Sequence, residues 1–247
     1  MEAFLEEIAL NAWPSVRQIH YDNWVLRFSG GQSRRANSVN ILGPSSIDLC
    51  EKIAFCEEAY ARFGMPTIFK FAGVPGTEEL ESLLDRSGYL AEGQTDVMTR
   101  PLAGIGTPVD ADVRLDIELQ PDWLETAYRL GEVPEFRRPY LEKIFWNIAP
   151  PRCFASISSE GTTAAIGAGV VERGWVGIFD IATVPEFRRQ GHATRLIHHL
   201  MHWAKQMSAH SAYLQVAQGN LAAEALYKNL GFSPCYQYWY RAKRPSA

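Results

Sequence analysis

The sequence lacks a basic surplus. Its 24 lysines and arginines are outnumbered by 28 aspartates and glutamates, a formal charge of −4. That argues against a nucleic-acid partner, because neutralising phosphates requires a concentrated positive face. Long apolar runs are missing too: nothing approaches the ~18 residues of a membrane span. The first ten residues carry Glu2, Glu6 and Glu7 but no Lys or Arg, so no secretory leader is expected. Cys50, Cys56, Cys153 and Cys235 show no CxxC spacing. They read as reduced thiols in a cytoplasmic setting, with no metal among them. Several catalytic signatures are absent as well. There is no HExxH and no Walker lysine pattern, and Gly167-Ala168-Gly169 lacks the third glycine and following helix of a dinucleotide fingerprint. What remains is 47% hydrophobic and 21% charged, an ordinary globular composition long enough for one large domain or two modest ones.

The second half is the easier to read. Residues 113–118 suggest a strand. Pro121-Asp122 and Pro134-Glu135 start helices over 121–130 and 134–148, since proline suits the first helical turn. Residues 153–158 and 162–172 form a hairpin by pattern, and 175–184 is an apolar run typical of a central strand that Pro185 ends. Ala193, Leu196, Ile197, Leu200, Met201 and Ala204 then recur at the spacing of one buried helix face. His198, His202 and Lys205 fall on the opposite side. The one-turn spacing of His198 and His202 has no third ligand to complete a metal site, so with His199 they read as surface. A strand at 211–217 follows, then a helix capped by Asn220 and stopped by Gly231. A final strand, 233–243, places Tyr236, Tyr238 and Tyr240 on one face and Trp239 on the other.

The first half reads as a shortened version of the same layout. A hairpin around Gly30-Gly31 joins residues 24–28 and 36–42. A helix (46–63), a strand (67–72), a helix (77–86) and a strand (89–99) follow. Leu83-Leu84-Asp85-Arg86-Ser87-Gly88-Tyr89 lines up with Leu226-Tyr227-Lys228-Asn229-Leu230-Gly231-Phe232. Two related α/β units are therefore expected, residues 1–100 and 112–247, with a linker at 101–111. Arg34-Arg35-Ala36-Asn37-Ser38 is either the hairpin turn or part of a second pocket.

Arg188-Arg189-Gln190-Gly191-His192-Ala193 lies between the central strand and the clearest helix. Free N–H groups of a first helical turn, the positive end of the dipole and a glycine that admits close approach make an anion site. Arg188, Arg189, Arg195 and the Thr194 hydroxyl add to it, and a diphosphate is the natural occupant.

This stretch resembles the Q/R-x-x-G-x-G/A signature of the GNAT superfamily of N-acetyltransferases, with Arg188, Gly191 and Ala193 on its defining positions. Asn220-x-x-Ala223-x-x-x-Tyr227-x-x-x-Gly231-Phe232 follows at the superfamily's usual place. The resemblance covers about 130 residues in order. It implies an α/β fold of two GNAT-like mixed β-sheet units flanked by helices, the first degenerate. It also implies acetyl-CoA as cosubstrate, no metal, and a small-molecule amine or a peptide N-terminus as acceptor. By the resemblance, the backbone of Ile181, Ala182 and Thr183 pairs with the pantetheine arm. N–H groups of Arg189, Gln190, Gly191, His192, Ala193 and Thr194 hold the pyrophosphate, Asn220 lies along the pantetheine, and Tyr227 lies near the sulfur.

Chemically, such a transfer needs a neutral amine, oxyanion donors near Ile181 and a proton for the leaving thiolate. Tyr227 is the candidate acid; Asp180 and Glu172 are the candidate bases. The first half lacks the Arg-x-x-Gly-x-Ala turn and carries Leu84 where Tyr227 stands, so one acetyl-CoA site per chain is expected. A non-catalytic acyl-CoA-binding or sensing module is the alternative. The acceptor is set by residues 131–140, Trp146 and the 236–240 strand, and the oligomeric state is left open.

Overall fold

A computed structural model describes residues 1–109, 112–159 and 161–243. In it the backbone forms seven α-helices and eleven strands among the described residues. The strands lie in one mixed sheet ordered β1 (Arg17–Tyr21), β2 (Trp24–Phe28), β3 (Val39–Ile41), β4 (Thr67–Phe71), β11 (Ser233–Lys243), β5 (Leu90–Pro101), β10 (Ser211–Ala217), β9 (Trp175–Thr183), β8 (Thr162–Glu172), β7 (Arg152–Ser159), β6 (Val113–Asp116). That corrects the expectation of two separate sheets: β5 (Leu90–Pro101) and β11 (Ser233–Lys243) are each long enough to contribute residues to both compact units.

Those units draw on the sequence unevenly. The first combines Met1–Asp96, Pro139–Asn147 and Tyr236–Ala247; the second combines Val97–Arg138 and Ile148–Cys235.

In the first unit, α1 (Glu2–Ala12) precedes the hairpin β1 (Arg17–Tyr21) and β2 (Trp24–Phe28). Next come β3 (Val39–Ile41), α2 (Leu49–Ala61), β4 (Thr67–Phe71) and α3 (Glu78–Arg86). β2 and β3 pair antiparallel and β3 and β4 parallel. β11 joins β4 antiparallel, Trp239 opposite Phe71, with Tyr236, Tyr238 and Tyr240 buried. Arg34–Ala36 form a 3-10 turn inside the β2–β3 connection. The segment Pro139–Asn147, counted with this unit, includes most of α5 (Arg138–Trp146).

In the second unit, β6 (Val113–Asp116) and α4 (Pro121–Leu130) lead to β7 (Arg152–Ser159), β8 (Thr162–Glu172) and β9 (Trp175–Thr183). Then come α6 (His192–Gln206), β10 (Ser211–Ala217) and α7 (Leu221–Asn229). Here β8 and β9 pair antiparallel and β9 and β10 parallel. The strand–strand–helix–strand–helix–strand order and pairing thus repeat those of the first unit. α6 buries Leu196, Ile197, Leu200, Met201 and Ala204, as its spacing requires, in a core with Ala155, Ile157, Val176, Ile178 and Leu214. His199 is buried with that face, not on the polar one. On β8, Gly169 leaves room for Leu200 and Trp203, whose atoms would lie 3.2 and 3.3 Å from an added Cβ.

One side chain ties α4 to this sheet. Trp123 is 1% exposed, and its Nε1 donates to the carbonyls of Ala155 (3.0 Å) and Gly167 (3.3 Å). Gly167 sits where the β8–β9 register shifts, so the indole supplies a donor where the ladder is interrupted. Trp123→Phe should cost about 1–3 kcal/mol, the usual penalty for an orphaned buried acceptor. Trp123→Ala should cost about 3–5 kcal/mol through the added cavity. Urea unfolding of both variants checks the order and the sizes.

Candidate functional site

The parallel pair β9 and β10 sets the geometry. Its register runs from Ser211 opposite Trp175 to Leu214 opposite Ile178. Both strands continue, β9 to Thr183 and β10 to Ala217, yet no further pairs between them occur among the described residues. Beyond Ile178 the facing edges therefore offer peptide groups to something else. Residues Ile181, Ala182 and Thr183 lie on this unzipped stretch, half-buried.

The other edge of β9 stays attached to β8, with Phe179 opposite Ala168 and Ala182 opposite Ile166. Three steps on β9 thus match two on β8, a β-bulge. Asp180 sits in it with φ 50°. A left-handed backbone costs a non-glycine residue roughly 1–2 kcal/mol, and strain of this kind is characteristic of working positions.

From β9 the chain passes through a 3-10 turn, Pro185–Phe187, in which Arg188 N–H donates to Pro185 O at 3.2 Å. Arg189 (φ 62°) and Gly191 (φ 81°) are both left-handed, curving the backbone into a concave row of amides of the anion-binding type. The first helical bond of α6 runs from Arg195 N to Gly191 O at 3.1 Å. The amides of His192, Ala193 and Thr194 precede it and have no intrahelical acceptor. Gly191, the N-cap, supplies no side chain to them, and a Cβ there would meet no atom within 4 Å. These residues fit a diphosphate.

Arg188, Arg189 and Gln190 are exposed on this turn, and Arg188 Nε donates to Thr183 O at 3.3 Å. Two side chains beside these amides have partners of their own. Arg195 is ion-paired with Asp112, so its charge is already engaged. His192 is buried edge-on to Phe187, with ring centroids 6.4 Å apart.

α7 brings the remaining residues. Asn220 caps it, its Oδ1 accepting from Ala223 N at 3.2 Å. Tyr227, half-buried, packs edge-on to Phe232. Burial first, and the Asp180 carboxylate second, push its phenol up to about 12. The helix and the bulge therefore bring Tyr227 and Asp180 within electrostatic reach of one another. Glu172 is not part of this group. It pairs with Trp175 at the far end of β9 and with the Arg173 guanidinium at 3.4 Å. Five strand steps separate Trp175 from Asp180, on the order of 16 Å. No cluster of His, Cys, Asp and Glu able to hold a metal occurs among the described residues, and no helix among them is long and apolar enough to cross a membrane.

Comparison with known proteins agrees with this geometry. Residues 3–241 match the family model described as "Probable histone acetyltransferase Rv0428c C-terminal". The chain is 30% identical to the uncharacterized N-acetyltransferase YobR of Bacillus subtilis over 97% of its own length and 98% of that protein. A segment covering 38% of the chain is 31% identical to the ribosomal protein bS18-alanine N-acetyltransferase of Escherichia coli, over 65% of that protein. Among solved structures, a GCN5-related N-acetyltransferase from Kribbella flavida superposes with a TM-score of 0.70 at 17% identity, covering 100% of this chain and 96% of that one. A tandem GNAT protein from the clavulanic acid biosynthesis pathway gives 0.64 at 11%, covering 98% and 89%. The unzipped strands, the glycine-capped helix and the full-length matches agree: the chain belongs to the GNAT family of N-acetyltransferases.

Proposed function

We propose that the chain transfers the acetyl group of acetyl-CoA to a primary amine, on a small molecule or a peptide N-terminus, at a single site in the second unit. The observation that carries this is the adjacency of two features: strands β9 and β10 part after Ile178, and β9 leads directly to the uncapped amides of α6.

In this reading the amides from Arg189 to Thr194 hold the diphosphate, with Arg188 and Arg189 adding charge. The unpaired backbone of Ile181, Ala182 and Thr183 bonds the amide-bearing arm, alongside Asn220. Acetyl-CoA supplies an activated thioester. The amine nitrogen bonds to its carbonyl carbon, the carbon–sulfur bond breaks, and sulfur leaves with the electron pair. Backbone N–H near Ile181 stabilises the oxyanion. The carboxylate of Asp180 attracts a cationic amine and accepts one proton from it before attack; the nitrogen loses a second to solvent as the amide forms, and solvent restores the proton that Tyr227 passes to sulfur.

Tyr227 stands nearest in role to the departing sulfur. With its pKa at about 12, the phenol stays protonated throughout the working range. It is a weaker acid than a free thiol by several units. Its contribution is therefore a hydrogen bond to the developing thiolate, with the proton following as negative charge grows on sulfur. α7 buries none of its residues completely, as suits a helix bordering a substrate cleft.

The first unit has the same strand and helix order but an opposite helix terminus. At α2, Asp48 Oδ1 accepts from Cys50 N (2.9 Å) and Glu51 N (3.1 Å), and Asp22 Oδ2 accepts from Ser46 N (2.8 Å) and Ile47 N (3.1 Å). The donors a diphosphate would use already hold carboxylates. This supports one acetyl-CoA site per chain.

Three outcomes follow. Tyr227→Phe should lower kcat by ~10²–10⁴ with little change in KM, read by thiol release against an amine panel. Because the folded-state phenol titrates above its unfolded value, wild-type activity should show no alkaline loss from this group up to about pH 11. CoA binding without thiol release for any amine would assign a binding module instead. Gly191→Asp should raise the Kd for CoA roughly 100-fold, by bringing a carboxylate to the phosphate donors and by straining a left-handed backbone position. Calorimetry with CoA measures it, and an unchanged Kd would remove the cradle.

A further inference from the structure

The first unit contains a cavity of about 350 Å³ lined by none of the residues assigned above to acetyl-CoA. Its lining comes from the start of β1, the end of β2, the turn after α2 and the first part of α5, all within that unit.

The wall has two chemistries. Phe28, Phe63 and Met65 supply an apolar floor, with the Phe28 and Phe63 rings 5.0 Å apart. Phe63 is 48% exposed and Tyr140 is 37% exposed, a large area of ring to leave in water. At the rim stand Arg17 and Lys143, both exposed. Neither makes an ion pair or side-chain hydrogen bond among the described residues, and no carboxylate contributes to the lining. Most other cations of the unit are matched: Arg34 to Glu92, Lys52 to Asp22, Lys70 to Glu6, Arg241 to Glu81 and Lys243 to Glu57. Two unpaired cations beside exposed aromatic rings are therefore a local exception.

The shape is held by a close packing. Gly30, at φ 59°, lies against the Tyr140 ring so tightly that a Cβ would sit 2.5 Å from two ring atoms. The glycine fixes Tyr140 as one wall.

From these features we propose that this cavity binds a small organic carboxylate with an aromatic or branched apolar body. The carboxylate is taken by Arg17 and Lys143, and the body lies on Phe28, Phe63 and Met65. An inorganic anion would leave the apolar floor wet, and an uncharged aromatic would leave the cations unmatched. The proposal does not depend on acetyl transfer. Pro139 and Tyr140, which line the cavity, belong to residues 131–140, the segment expected to choose the acceptor, so occupation of the cavity bears on that choice.

Calorimetric titration of the full chain with 3-phenylpropionate tests it, beside three controls: 3-phenylpropanol, 3-phenylpropylamine and inorganic phosphate. The carboxylate alone should bind. The double variant Arg17→Glu/Lys143→Glu should weaken it at least tenfold, and Phe63→Ala about fivefold. All three residues are exposed, so the thermal midpoint of the unliganded protein should barely move. Equal binding of the alcohol, equal binding of phosphate, unchanged affinity in the double variant, or no binding of 3-phenylpropionate would each overturn the proposal. CoA-dependent thiol release, measured on the same variants, reports the transferase reading separately.

Discussion

Parallel strands that stop pairing leave backbone groups in need of partners, and the second unit depends on how β9 and β10 meet that need. Their ladder ends at Ile178 and Leu214. The bulge at Asp180 turns β9 locally while it keeps its grip on β8, and Trp123 satisfies the Gly167 carbonyl at the interruption. The unpaired edge is thus accompanied by two neighbouring devices, one conformational and one a side-chain donor. A ligand with alternating amide donors and acceptors is the natural complement to such an edge, because each group it brings replaces a missing ladder partner.

The two units also show how little sequence separates an anion site from a closed helix end. α2 and α6 occupy the same step in the same topological order. α6 begins at a left-handed glycine that brings no side chain to its amides. α2 begins at Asp48, whose carboxylate takes two of them, while Asp22 takes the two amides just upstream. The Asp22 carboxyl is held well below its usual range by the Ser46 hydroxyl and by Lys52. Lys52 is fully buried, and its ammonium lies 3.8 Å over the Trp24 ring. Where one helix presents positive potential outward, the other has neutralised it internally.

Much of the fold was legible because it is written in local signals. Pro121 marked the start of α4, the apolar spacing from Leu196 to Ala204 marked α6, and Asn220 and Gly231 bracketed α7. In α1, Leu5, Ile8, Ala9 and Ala12 stand at helical spacing and are buried, but Glu2, Glu6 and Glu7 among them obscure that period. β1 offered no such signal, since most of its residues are exposed and no alternation exists to read. The continuity of the sheet depends on long-range pairing, which no local pattern encodes. In the site, the glycine turn, Asn220 and Tyr227 followed from motif and order. The left-handed bulge at Asp180, the engagement of Arg195 by Asp112 and the distance of Glu172 depend on register and tertiary partners. Those are settled only once β8 lies against β9 and β6 against β7.

The way the chain is divided between its units has a consequence for biosynthesis. The first unit begins at the amino terminus, yet it includes Pro139–Asn147 and the tail from Tyr236, and β4 has β11 as a pairing partner. A ribosome adding ~5–20 residues per second therefore releases the earliest segment on the order of ten seconds before its last strand exists. During that interval one edge of β4 is an unprotected template for strangers. The unit translated first is the one that must wait.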